Sequence, residues 1–287
     1  MLIASVAHPC WFLMDKHTAI SKKENLIRML KDLRSVLIAF SGGVDSTYLL
    51  AVAHQCLGDK VTAATGNSPI FPSREQDSAA EFARQRGIRH IIFQTTETGL
   101  PKFISNPPDR CYHCKKALAQ TLIEIAEQRD IAHIAHAANL DDLSDYRPGM
   151  RAAQEMGLLS PLLDSNLCKD EIRFLSREMG LPTWDKPSMP CLVSRIPYWS
   201  IITKQKLTMI EEAENFLSDN GFRQFRVRHH GPVARLEMDQ KGVNRLLKKN
   251  LKHKVVKKLR EIGFSYVSLD LEGYASGSLN RYLEDKG

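Results

Sequence analysis

The sequence predicts an α/β protein, with a parallel sheet covered by helices on both faces and a smaller α+β domain after it. Three observations carry that prediction. Short β-branched and aromatic runs alternate with helical runs through the first two thirds of the chain, as strands joined by crossover helices do. A Gly-Gly turn, within Ser41 to Ser46, separates the first such strand from its helix. From Asp185 the texture changes to the proline-rich DKPSMPCLVSRIPYWS, and then to a helix, two strands, a helix and a strand. Taking that stretch as a hinge divides the chain into residues 1–198 and 199–287.

The elements follow in order. The opening MLIASVAHPCWFLMDKHTAI is apolar, lacks a basic leader and is interrupted by His8 and Pro9. Residues 1–24 therefore read as an N-terminal extension and not as a signal peptide. Val36 to Phe40 has the composition of a buried parallel strand, and Leu49, Leu50, Ala53, Cys56 and Leu57 recur at helical spacing behind it. KVTAAT and HIIFQT are the next strands, with SREQDSAAEFARQRG helical between them. A helix begins near Cys111, IAHIAHAA supplies a fourth strand, and RPGMRAAQEMG is helical. In the second part LTMIEEAENFLSDNG is a helix, QFRVRHH and VARLEMD are strands, VNRLLKKNLKHKVVKKLREIG reads as one helix, and YVSLDLEG is a last strand.

With 287 residues, 43% hydrophobic and 25% charged, the chain has the make-up of an ordinary globular protein of two domains. No apolar run approaches the ~20 residues that span a bilayer. Together with the missing leader, this points to the cytoplasm and away from a membrane. The formal net charge of +7 favours anionic partners. In LKKNLKHKVVKKLR, however, the pattern of Val243, Leu246, Leu247, Val255, Val256 and Leu259 turns the lysines outward as a solvated helix face. Six unequally spaced cysteines indicate thiols, a metal site or catalysis rather than a secreted disulfide framework.

The hexapeptide SGGVDS carries the most chemistry. Adjacent glycines allow positive φ and close backbone approach, and a helix N-terminus presents N–H groups and a favourable dipole to an anion. Ser41, Ser46 and Thr47 add hydroxyl donors. A Walker A loop would end in lysine and a dinucleotide fold would show G-x-G-x-x-G; neither is here. Asp45 takes the lysine's place, which suggests a magnesium-borne phosphate or an orienting role. SGGVDS resembles the PP-loop of the N-type ATP pyrophosphatases. That resemblance implies that Ser41, Gly42, Gly43, Asp45 and Ser46 hold the pyrophosphate portion of ATP, with Mg²⁺ nearby, while a carboxyl or carbonyl group is adenylated.

The thiols come next. Cys111 and Cys114 form a C-x-x-C at a helix start, flanked by Arg110, Lys115 and Lys116. Cys191 stands in a proline-bounded loop close to Arg195. Basic neighbours lower thiol pKa values. Zinc would need a fourth ligand, with His113 the local candidate; three thiolates suit an iron–sulfur cluster with one open iron; three unligated thiols are the third option. Spacing leaves these open. Cys10, Cys56 and Cys168 lack such surroundings.

RCYHCKKAL, NLDDLSDYRPGMRAA, SPLLD, LPTWDKPSMPCLVSRIPY, ITKQKL, AENFL, GFRQFRVRHHGPVARLEM and LDLEGYASGSLN resemble the LarE family, from the Gly-Gly loop to near the C-terminus. These are ATP-dependent sulfur transferases of nickel-pincer nucleotide biosynthesis. The resemblance implies adenylation of a pyridinium-3,5-biscarboxylate mononucleotide. Cys191 then attacks the acyl-adenylate and gives up its sulfur, with Arg195 facing the phosphates or the substrate carboxylate. Other members carry three cysteines that hold a 4Fe-4S cluster whose open iron delivers sulfide; Cys111, Cys114 and Cys191 fit that pattern, so the chain resembles the cluster-bearing branch. A homo-oligomer is also implied.

Two positions depart from the family pattern. His136-Ala137-Ala138-Asn139 stands for Asp-Gly-Thr-Asn, and Trp199 for the glycine after I-P-Y. In the second domain Arg226 and Arg228 share one strand face, as do Arg235 and Glu237, and Asp270 and Glu272. Either this is a cross-strand charge ladder, or Arg226 and Arg228 bind the substrate phosphate with a metal on the carboxylates. The competing functions are a tRNA thiolase, against which no RNA-binding module is recognisable, and a non-catalytic nucleotide-binding protein.

Overall fold

The structure is a computed structural model that describes residues 15–144, 147–275 and 277–281. Its first elements are α1 (Lys16–Lys31), β1 (Val36–Ala39), α2 (Val44–Leu57), β2 (Val61–Asn67), α3 (Ser73–Gln85) and β3 (Arg89–Gln94). Then come α4 (Pro101–Ile104), α5 (Arg110–Gln128), β4 (His133–Ala135), α6 (Pro148–Glu155), α7 (Pro161–Asp164) and α8 (Lys169–Glu178). The last are α9 (Lys204–Asp219), β5 (Phe225–His230), β6 (Val233–Met238), α10 (Gln240–Leu246), α11 (Lys249–Ile262) and β7 (Tyr266–Leu269).

The chain folds as two compact units. Among the described residues, the first takes those within 1–66, 75–94 and 115–186, and the second those within 67–74, 95–114 and 187–287. This differs from a division at 198/199. The reason is an apolar cluster inside the second unit. Leu192, Val193, Ile196, Ile202, Leu207 and Ile210 close on Ile70 and Phe103, so two early segments join the later chain. Residues 16–24, expected as extension, belong to α1, whose N-cap Asp15 accepts from the His17 and Thr18 N–H groups. Residues 1–14, Cys10 among them, lie outside the described residues.

The first unit is the expected α/β sheet, in strand order β3-β2-β1-β4. β1 runs parallel to β2 and to β4. Side chains alternate along β1. Val36 and Ile38 enter one core with Leu49, Leu50, Ile172 and Leu175, and Leu37 enters another with Ala119, Leu122, Ala126 and Ala153. A strand apolar on both faces needs a helical layer on each side, and burying each such side chain contributes roughly 1.5–3 kcal/mol. The order has one consequence for function. β2 and β3 build to one side of β1 and β4 to the other, so the C-terminal end of β1 is a topological switch point, where open α/β sheets bind ligands. Among the described residues no helix is long and apolar enough to cross a membrane.

In the second unit β5 pairs antiparallel with β6, and β6 parallel with β7. Their inner faces pack with α9 and α11 through Leu217, Val227, Leu236, Val255, Leu259 and Phe264. The single helix expected over 243–263 breaks at Lys248, which is extended with φ −61° and ψ 123°. In one continuous helix Leu246 and Val255, nine residues apart, would point roughly 180° from each other. Both are buried, so the chain must re-aim between them.

Trp199 adopts φ +66°, where a bulky side chain is strained. It is held there because its N–H donates to the carbonyl of fully buried Asn106 at 2.9 Å. Asn106 Nδ2 in turn donates to the Pro197 and Ser200 carbonyls. The indole itself is 59% exposed. Trp199→Gly is therefore expected to raise the urea midpoint, with a stability gain of about 0.5–1 kcal/mol. A lower midpoint would show that the indole contributes more than its backbone costs.

Candidate active site

The Ser41–Ser46 loop lies at the switch point. Gly42 has φ +70°, and a Cβ there would come within 3.1 Å of Ala79 Cβ, so the loop lies tight against α3. Ser41 and Ser46 hydroxyls meet at 3.0 Å, and Ser46 Oγ lies 3.3 Å from the Gly43 carbonyl. Gly43 is the N-cap of α2 and brings no side chain to cap it. The first-turn N–H groups are left for an anion.

Two lysines remote in sequence reach this loop. Lys169 Nζ lies 2.5 Å from Asp45 Oδ2, while Asp45 Oδ1 is buried with no hydrogen-bond partner. Lys186 Nζ donates to the Gly42 carbonyl at 3.0 Å and pairs with Glu75 at 2.7 Å. An unmatched carboxylate oxygen beside a helix N-terminus suits a cation such as Mg²⁺ carried by a phosphate. The sequence offered no sign of either lysine at this place; both arrive through tertiary packing.

On the neighbouring strand end, His136 is buried and meets Ser160 Oγ at 2.8 Å. Burial, with Lys115 adding to it, pushes the imidazole down to about 4. Three residues on, the Asn139 N–H donates to Asp142 Oδ2 at 3.0 Å, and Arg147 pairs with Asp142 at 2.7 Å. Burial raises the Asp142 carboxyl above its usual range, and nearby Asp45 pushes the same way.

In the second unit Cys191 precedes a 3-10 turn, Leu192–Arg195. The Leu192 N–H donates to the Ile70 carbonyl at 2.7 Å. Cys191 and Cys114 both pack on the Ile70–Phe103 cluster, and Cys111 and Cys114 occupy the first turn of α5. Beside them Arg110 is buried over the Tyr198 ring, 4.5 Å from its centroid, and its Nε and Nη1 have no hydrogen-bond partner. Among the described residues no three His, Cys, Asp or Glu side chains are placed to hold a metal ion. Cys111, Cys114 and Cys191, expected as cluster ligands, are not gathered into such a set.

The expected arginines have other work. Arg195 is fully buried. Its Nε and Nη2 pair with Glu214 at 2.9 and 2.8 Å, and Nη1 donates to the carbonyls of Pro190 and Cys191 at 2.7 and 3.1 Å. It clamps the thiol loop instead of facing a phosphate. Arg226 donates to the Ser188 carbonyl at 2.6 Å and lies 5.0 Å from the Tyr274 ring centroid. Burial, and Arg195 after it, lowers its pKa. Arg228 pairs with Glu237 at 2.8 Å and donates to the Ser194 carbonyl and Ser278 Oγ. Neither Arg226 nor Arg228 presents an open fork to substrate. A polar cavity of about 440 Å³ lies on this sheet instead, lined by Arg235, Glu237, Asp270, Glu272, Ser278 and Arg281 among others.

A Gly-Gly loop at a helix N-terminus, at the switch point of this sheet, defines the class of ATP-using PP-loop enzymes. Comparison with known proteins agrees. The asparagine synthase family matches residues 26–120. An uncharacterized protein of Synechocystis sp. is 42% identical, over 92% of this chain and 98% of its own. The pyridinium-3,5-bisthiocarboxylic acid mononucleotide synthase of Lactiplantibacillus plantarum is 36% identical, over 93% of this chain and 96% of its own. The chain belongs to the family of that synthase, the LarE family.

Two measurements check the site. Because the His136 imidazole sits near 4 when folded and 6.5 otherwise, the unfolded chain takes up its proton first as pH falls. Its contribution is complete above about 6.5 and lost toward 4, at up to about 1.4 kcal/mol per pH unit. Urea midpoints from pH 7 to 5 should fall less steeply in His136→Asn; equal slopes would contradict this. Glu214→Gln leaves Arg195 buried without its counter-charge and should cost about 3–5 kcal/mol. It should also speed alkylation of Cys191, while an unchanged alkylation rate would mean the thiol loop does not depend on the clamp.

Proposed function

We propose that this protein uses ATP to convert a carboxylate of a pyridinium mononucleotide, of the 3,5-biscarboxylate type, into a thiocarboxylate. The observation that carries the proposal is the Ser41–Ser46 loop at the switch point, with Asp45 Oδ1 buried and unmatched. The loop N–H and hydroxyl groups hold the polyphosphate, and Asp45 would hold a magnesium ion that screens its charge. A substrate carboxylate oxygen attacks the α-phosphorus, and pyrophosphate leaves. Donors fixed in advance favour the charge that develops.

The Cys191 thiolate then attacks the acyl-adenylate carbonyl and AMP departs, leaving a thioester. Loss of the Cys191 Cα proton with cleavage of its Cβ–Sγ bond releases the thiocarboxylate and leaves dehydroalanine. The substrate phosphate is assigned to the polar cavity of the second unit, where Arg235, paired with Glu237 and Asp270, and Arg281, paired with Glu272, would exchange those carboxylates for it. A cytoplasmic homo-oligomer, with residues 199–287 serving substrate binding and assembly, belongs to the same reading and is checked by light scattering.

Asp45→Asn and Gly43→Val should each lower ATP–pyrophosphate exchange by about tenfold or more while the fold is retained. Wild-type exchange in both would remove the ATP site from this loop. After turnover the intact chain should be lighter at Cys191 by the mass of hydrogen sulfide. Repeated turnover with added sulfide, together with iron that is lost in Cys111→Ala, Cys114→Ala and Cys191→Ala, would replace the sacrificial route with the cluster route.

A further inference from the structure

We infer that Glu97 is a positioning residue for the Cys191 thiol, acting through the turn at residues 68–71. The inference rests on the sulfur-donor role proposed for Cys191. Every residue in it belongs to the second unit. Glu97 is 1% exposed and opens the 3-10 turn Glu97–Gly99. Its Oε1 accepts from Ser68 Oγ and, at 2.9 Å, from Thr95 Oγ1. A carboxylate oxygen accepts, so the Ser68 hydroxyl points its proton at Glu97 and leaves its lone pairs to other donors. One of these is the Ile70 N–H, at 3.3 Å, while the Phe71 N–H donates to the Ser68 carbonyl at 3.1 Å. Side chain and backbone of Ser68 thus close one turn, and that turn aims the Ile70 carbonyl. The Leu192 N–H donates to this carbonyl at 2.7 Å, one residue beyond the thiol.

A buried carboxylate is a poor source of stability, because removal from water offsets what its hydrogen bonds return. An apolar side chain would fill the same space without that cost. What Glu97 adds is direction. The peptide that joins residues 191 and 192 is held at both of its polar atoms. Arg195 Nη1 and Ser194 Oγ donate to its oxygen, the Cys191 carbonyl, at 3.1 and 2.9 Å. The Ile70 carbonyl, fixed through Ser68 by Glu97, takes its N–H. The plane from which the thiol projects is therefore set from two sides, by the Arg195 clamp and by Glu97. Sulfur transfer needs this, since a nucleophile misplaced by about 1 Å loses about a hundredfold in rate.

Two rates measured on the full chain test this: ATP–pyrophosphate exchange, and single-turnover formation of thiocarboxylate from the pyridinium biscarboxylate mononucleotide with Mg·ATP. Glu97→Ala should slow the second by about tenfold or more and leave the first, and the KM for ATP, unchanged. Glu97→Gln keeps an acceptor for Ser68 and should recover most of the loss. Wild-type transfer in Glu97→Ala would overturn the inference. So would a parallel fall of both rates, which is what a merely structural role produces. If the wild-type chain forms no thiocarboxylate, the donor role of Cys191 fails, and alkylation by iodoacetamide decides the inference separately. Glu97→Ala should then speed alkylation of Cys191 by about tenfold, as easing local opening by one hydrogen bond does, with Cys56 unchanged; equal Cys191 rates overturn it. Should Glu97→Ala not fold, Glu97→Asp, whose carboxylate is drawn back by one methylene, is read by the same rates with the same outcomes.

Discussion

The ion pair between Arg195 and Glu214 organises the second unit. Glu214 projects from α9 and spends both oxygens on Arg195, and the oxygen nearer Nε also accepts the Val227 N–H of β5 at 3.0 Å. Arg195 spends its remaining nitrogen on the carbonyls of Pro190 and Cys191. One buried pair thus joins a helix, a strand and the loop that carries the thiol. Such a pair is weak as a source of net stability and costly to break, so its effect is to fix one arrangement. Arg226 and Arg228 extend it by taking the Ser188 and Ser194 carbonyls. A loop with three prolines, regular only in the 3-10 turn Leu192–Arg195, is thereby held by three guanidinium groups.

The first unit solves a different problem. Its loop must stay open to an anion, although the Ser41 and Gly43 N–H groups donate to the Ser46 and Ser41 hydroxyls at 3.3 and 3.4 Å. Gly42 presses the turn against Ala79, Lys186 ties its carbonyl, and the serine hydroxyls hold one another. The structure around the loop supplies the rigidity, and the glycines leave room for ligand. His136 and Asp142 are buried after the neighbouring strand, and burial shifts each toward its neutral form.

Sequence alone determined the α/β sheet, because a strand apolar on both faces followed by an amphipathic helix has few other ways to bury itself. It determined the Gly-Gly loop, whose local backbone demands are written in six consecutive residues, and it singled out Cys191 by its neighbours. It did not settle the arginines. Alternation on a strand tells which face Arg226 and Arg228 share, but not whether a carbonyl or a ligand receives them, and proximity of Arg195 to Cys191 carries no direction. Tertiary structure alone decided that Glu214, 19 residues beyond Arg195, is its partner, and that segments near 70 and 103 join the unit of residues 187–287. It alone brought Lys169 and Lys186 to the loop, separated from it by 124 and 144 residues. The physical reason is range: turn and strand preferences are set by near neighbours, whereas the partner of a long charged side chain is set by whatever the packed fold places beside it.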